Sequence, residues 1–129
     1  MRIAIILITG LGLAGSAQAA PLTLLCSGSL TLDGKESKID RETAILDLDG
    51  RSFKPPLYPE FPVTRIGESD LSFGSELPNL STWGTLDRVS GSLSMNVMKP
   101  SERKSLQAGK GAKFLAWMTA KCVPAQRMF

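Results

Sequence analysis

The chain contains no histidine. That absence removes the Ser-His-Asp triad, the histidine general base and every metal site built on imidazole. Only two cysteines occur, Cys26 and Cys122, too few for a thiolate zinc site. There is no phosphate-binding glycine loop and no dinucleotide fingerprint. Asp47 and Asp49 resemble a fragment of a calcium loop, but the twelve-residue spacing with its closing glutamate is missing. The other carboxylates are scattered along the chain. An enzyme is therefore the least favoured class, and no catalytic, metal-binding or cofactor-binding residue can be nominated. Nothing points to nucleic acid.

Long apolar runs are also scarce. Ile3–Leu13 is one, broken by Thr9, Gly10 and Gly12, and it falls short of the roughly 20 residues that a membrane span needs. Arg2 precedes it and the small-x-small triplet Ala17-Gln18-Ala19 follows. Residues 1–19 thus read as a secretory signal peptide, with the mature chain starting at Ala20. Leu25 stands before Cys26 where lipid attachment wants a small residue. The mature protein is expected to be periplasmic or secreted and not membrane-spanning. Residues 20–129 are one domain's worth of chain, with no internal repeat, low-complexity segment or linker.

What is present is alternation. In Ser81–Met98, the residues Leu93, Met95 and Val97 share one parity, and Ser92, Ser94 and Asn96 the other. Period two predicts a strand with a dry face and a wet face. The preceding segment, Ser81–Val89, carries the threonine, tryptophan and leucine that suit a pleated surface. Between the two lies Gly91, able to take the positive φ of a hairpin turn. Asp87 and Arg88 stand at its mouth, and Asp87 suits the role of accepting turn amides.

Other strands follow the same logic. Leu22–Leu32 places Leu22, Leu24, Cys26, Leu30 and Leu32 on one face. Asp33–Glu42 reads as a polar turn and loop, and Ala44–Leu48 as the next strand. Asp49-Gly50 signals a hairpin, with Arg51–Lys54 as its short return. The four prolines of Pro55–Pro62 bar that segment from a central strand, which leaves an extended surface crossing. Val63–Ile66 and Asp70–Ser75 read as two short strands around Gly67-Glu68. Lys99–Lys113 reads as a long mobile basic loop. Lys113–Val123 reads as a final strand rather than a helix, because Phe114, Ala116, Met118, Ala120 and Cys122 form one apolar parity set.

Cys26 and Cys122 therefore both face inward, and an oxidising compartment favours one bridge between them. A loop of that length would contribute roughly 4–5 kcal/mol on the chain-entropy model. Charge is uneven as well. Residues 20–98 carry a net −4 and residues 99–129 a net +6. Lys99, Arg103, Lys104, Lys110 and Lys113 are opposed in their segment only by Glu102. They are the candidate partner-binding residues, for an anionic protein, lipid or polysaccharide of the envelope.

Three features carry a resemblance: the cysteine-bearing strand LTLLCSGSL, the G-x-L-D-R-x-S-G-x-L hairpin of Gly84–Leu93, and the tail C-x-P-A-x-R-M-F of Cys122–Phe129. In these the chain resembles a group of small exported β-rich proteins of Gram-negative soil bacteria that has no assigned activity. The resemblance implies a small meander barrel and carries over no catalytic residue.

The expected fold is all-β, with seven or eight antiparallel strands in meander order. They would form a small closed or partly open barrel, with a β-sandwich as the alternative. The expected function is that of a non-catalytic binding or interaction module. The alternative is a structural or stress-related envelope protein without a discrete ligand.

Overall fold

Alternating sequence becomes alternating burial. Leu93, Met95 and Val97 are buried, Ser92 and Ser94 face solvent, and Asn96 is half-buried. A computed structural model describes residues 20–126. The expected signal peptide, residues 1–19, lies outside the described residues, as do residues 127–129 at the end of the tail motif. The elements run β1 (Leu22–Leu32), β2 (Lys35–Asp47), β3 (Ser52–Lys54), β4 (Phe61–Ile66), β5 (Asp70–Leu77), β6 (Leu80–Asp87), β7 (Ser92–Met98), α1 (Pro100–Gln107) and β8 (Ala116–Pro124). Each strand pairs antiparallel with its sequence neighbour, and β8 returns to pair with β1. The result is a closed eight-stranded meander barrel rather than a sandwich.

The interior is filled. Phe53, Phe73, Leu71, Met95 and Met118 are almost wholly excluded from solvent. Phe73 packs tilted against both Phe53 and Phe61, with ring centroids 4.8 and 6.2 Å away. An eight-stranded barrel has room for such a core and little else.

Cys26 and Cys122 are bonded and sit directly opposite one another in the β1–β8 ladder. The turn between β6 and β7 also follows its sequence. Gly91 adopts φ 82° and donates its N–H to the Asp87 carbonyl. The Asp87 carboxylate accepts the amides of Val89 and Ser90 at 2.8 and 2.9 Å. Those two amides, Ser90 first, hold its pKa below the usual 3.8.

Three segments differ from expectation. Asp33–Glu42 is not a loop, because β2 begins at Lys35. Asp33 and Gly34 both take positive φ, the requirement of a two-residue hairpin turn, so the polar residues that follow form strand on the barrel's outer wall. The ladder slips between Cys26 and Gly28, where Asp40 and Arg41 oppose Ser27 alone. Arg41 lies at φ 50° and donates its N–H to Ser27 Oγ at 3.0 Å. This bulge changes parity, which lets Ile39 and Ala44 both point inward.

Lys99–Lys113 holds the helix α1 instead of being loop throughout. Pro100 suits a first helical turn, since its missing N–H would be unpaired there anyway. The proline crossing is not wholly on the surface either. Pro55 and Pro56 are fully buried, Phe61 joins the core, and half-buried Tyr58 packs on that core. Burial raises the Tyr58 phenol pKa.

Candidate functional site

The meander puts two kinds of connection at the two barrel ends. One end holds the β1–β2 turn, the proline crossing and α1; the proline crossing packs into it. The other end holds the start of β1, the finish of β8 and three tight turns. There the strand ends leave an apolar mouth of about 350 Å³. Leu22 and Leu24 of β1, Leu46 of β2 and Leu48 beyond it, Leu86 of β6 and Pro124 of β8 line it, with the disulfide at its wall through Cys122. Alternation explains the lining: inward residues at strand ends have no further layer above them.

The lip of this mouth is the β6–β7 turn. Val89 is 82% exposed at its tip. Arg88 is held over the neighbouring β4–β5 turn, donating its backbone N–H to the Ser69 carbonyl and its Nη1 to the Gly67 carbonyl. The Asp87 carboxylate accepts both turn amides through Oδ1, which fixes its place at the lip.

Four of the five basic residues nominated from sequence border two different dents in the surface. Lys99 and Lys113 border a dent of about 120 Å³ with Asp33, Glu102 and Leu115. Glu102 there accepts the Lys113 backbone N–H at 2.7 Å. Arg103 and Lys104 border a separate dent of about 350 Å³ with Glu76, Pro100 and Gln107. Lys110 borders neither.

Arg103 is engaged in three ways. Its Nη1 donates to Ser81 Oγ at 2.7 Å, it forms an ion pair with Glu76, and its guanidinium lies 4.3 Å from the centre of the Trp83 ring. Ser81, fully buried, donates its hydroxyl to Glu76. These contacts hold α1, which buries none of its own residues, against β6. Beside them a groove of about 310 Å³ runs along the outer wall, bordered by Thr64, Gly74, Ser75, Glu76, Trp83 and Arg103 among others.

Sequence reading missed two groups. Leu22, Leu46, Leu48 and Leu86 were legible as apolar strand residues, but only barrel closure brings them to one mouth. Trp117 was legible as an outward residue of the last strand, by parity with Cys122, and Trp83 only as a strand residue. Trp83 opposes Asn96, and Asn96 opposes Trp117, so both indoles stand in one row on the outer wall.

Among the described residues no group of three or more acidic or cysteine side chains could hold a metal ion, and no helix is long and apolar enough to cross a membrane. No protein-family model matches the chain, and no match was found among curated proteins or solved structures.

Proposed function

We propose that this chain is a non-catalytic binding module of the periplasm or the secreted fraction, and that it takes a small apolar ligand at the open barrel mouth. The observation that carries this reading is the pocket of about 350 Å³ walled by Leu22, Leu24, Leu46, Leu48 and Leu86. Its size falls at the lower end of small-molecule sites, roughly 300–1,000 Å³, and its lining is of the apolar type such sites share. The ligand enters end-on and does not thread the barrel, whose interior is occupied by Phe53, Phe73, Met95 and Met118.

The test is native mass spectrometry of mature protein purified from its own envelope. A bound mass that is lost on denaturation, and is absent from a Val89→Glu or Leu22→Glu variant, supports the reading. Both residues are exposed at the rim, so neither change should disturb the fold. Bare protein from the native envelope, together with no binding of a medium-chain alkanol to purified protein, overturns it. The filled interior favours the second reading, an envelope protein with a structural role and no discrete ligand, and that outcome would leave it standing.

A further inference from the structure

The mouth is not apolar all the way round. Its polar side chains, Asp87, Arg88 and Ser90, all come from the end of β6 and the turn after it. The leucines of β1 and β2, Leu48, Leu86, Val89 and Pro124 make the rest of the lining apolar. A cavity with greasy walls and one polar edge matches a molecule built the same way, with an apolar chain and a single head group.

The hydrogen bonds along that edge decide which head group it takes. Asp87 Oδ1 already accepts the amides of Val89 and Ser90. The Ser90 hydroxyl is engaged with Ser92, donating to its Oγ at 3.1 Å and accepting its N–H at 3.2 Å. Arg88 is different. Its Nη1 donates to the Gly67 carbonyl at 2.6 Å, a neutral partner that leaves the charge uncancelled. The ion pairs among the described residues, Arg65–Asp70 and Arg103–Glu76, do not include it. A guanidinium has five N–H donors, and that bond uses one. Together with the Arg88 backbone N–H on the Ser69 carbonyl, it pins the residue between two turns, so less side-chain freedom is left to lose on binding. Lys121 of β8 brings a second positive charge near Asp87, offsetting the one carboxylate in the lining.

We infer that the mouth takes a free medium-chain fatty acid, with its chain among the leucines and its carboxylate on Arg88. A carboxylate is acceptor-only and matches the guanidinium fork, and charge assistance makes such bonds stronger than neutral ones. An alkanol of the same length would fill the same walls without that contact, and an alkylammonium would meet Arg88 with like charge. The volume of about 350 Å³, at the low end of small-molecule sites, suits one short chain rather than the two long chains of a membrane lipid. A fatty acid seated there presupposes the apolar site proposed above and adds the chemistry of its head group.

Isothermal titration of the mature protein with octanoate, 1-octanol and octylammonium tests it, in low salt at about pH 8, where octanoate is ionised. Octanoate should bind about tenfold more tightly than octanol, the gain expected of one charge-assisted contact, and octylammonium more weakly than either. Arg88→Gln should bring octanoate down to the level of octanol and leave octanol binding unchanged, with Arg88→Lys restoring part of the difference. Octanol bound with octanoate no tighter overturns the fatty acid and leaves the apolar mouth standing. No binding of either overturns both. An octanoate advantage that survives in folded Arg88→Gln also overturns the proposal, as does octylammonium bound more tightly than octanoate. Should Arg88→Gln fail to fold, the wild-type protein decides. Its affinity for octanoate should fall several-fold between about 0.02 and about 0.5 M salt while that for octanol does not, and an equal response of the two ligands overturns the proposal.

Discussion

Cys26 and Cys122 are direct cross-strand partners, with Cα atoms 4.0 Å apart and a separation of 96 positions in the chain. The disulfide therefore spans the one strand pairing that closes the barrel, joining the first strand to the last.

Replacing both cysteines by alanine should lower the unfolding free energy by about 4–5 kcal/mol on the chain-entropy account. Urea denaturation of the double variant against the oxidised protein measures it. A loss below about 1 kcal/mol would mean that the β1–β8 ladder closes equally well in the reduced chain.

Met95→Asp should cost several kcal/mol, because the carboxylate would be desolvated in the core with no partner. Ser94→Asp, one residue away on the wet face, should stay within about 0.5 kcal/mol of wild type. Thermal melting of the pair reads out which face is which, and equal melting temperatures would contradict the assignment.

Gly91→Ala should destabilise the protein by about 1–3 kcal/mol. The position has φ 82°, and an added Cβ would run into the Cys122 carbonyl oxygen. Because Gly91 and Cys122 both line the mouth, the same variant should bind an alkanol less well. A variant of wild-type stability would show that the turn can relax away from β8.

Asp87 should contribute to acid sensitivity. Its folded pKa lies below its ordinary 3.8, so the contribution is fully present above that value and is lost as pH falls through the folded pKa. The stability difference between wild type and Asp87→Ala should thus shrink below about pH 4. Chemical denaturation at a series of acidic pH values tests it, and a constant difference would show that the carboxylate's charge is irrelevant to the turn.

Arg103→Ala should release α1 without unfolding the barrel. No residue of the helix is buried, and Arg103 makes the contacts to Glu76, Ser81 and Trp83. Hydrogen exchange should quicken at the amides of residues 104–110 while the β7 amides stay protected. Unchanged exchange in the helix would mean that it is held by something else.

How much of this was legible depended on parity. In β7 as far as Val97, and in β8 as far as Cys122, a single parity marks the inward residues, so both the inward set and the position of Cys122 could be read directly. In β2 the bulge at Arg41 shifts inward positions from odd at Ile39 to even at Ala44, and a periodic pattern that changes phase looks like no pattern. The Asp33-Gly34 turn was a local signal for that strand, outweighed by the run of charges after it. Pro100 and Glu102 likewise marked a helix start inside a segment that composition made look like loop. The mouth and the tryptophan row were out of reach for a different reason. Trp83 and Trp117 come together only through the register of two ladders, and Leu22 meets Leu86 only once the sheet is closed.

The closing pair has a consequence for the order of assembly. A chain made from its N-terminus exposes β1 first, and until β8 exists that strand has one unsatisfied row of amides and carbonyls. No partial product of synthesis can close the ring. The most distant pairing in the sequence is also the one that removes the last sticky edge, so folding should be late and comparatively slow. For most of its early life the nascent protein is an open sheet in need of protection, which a finished barrel no longer requires.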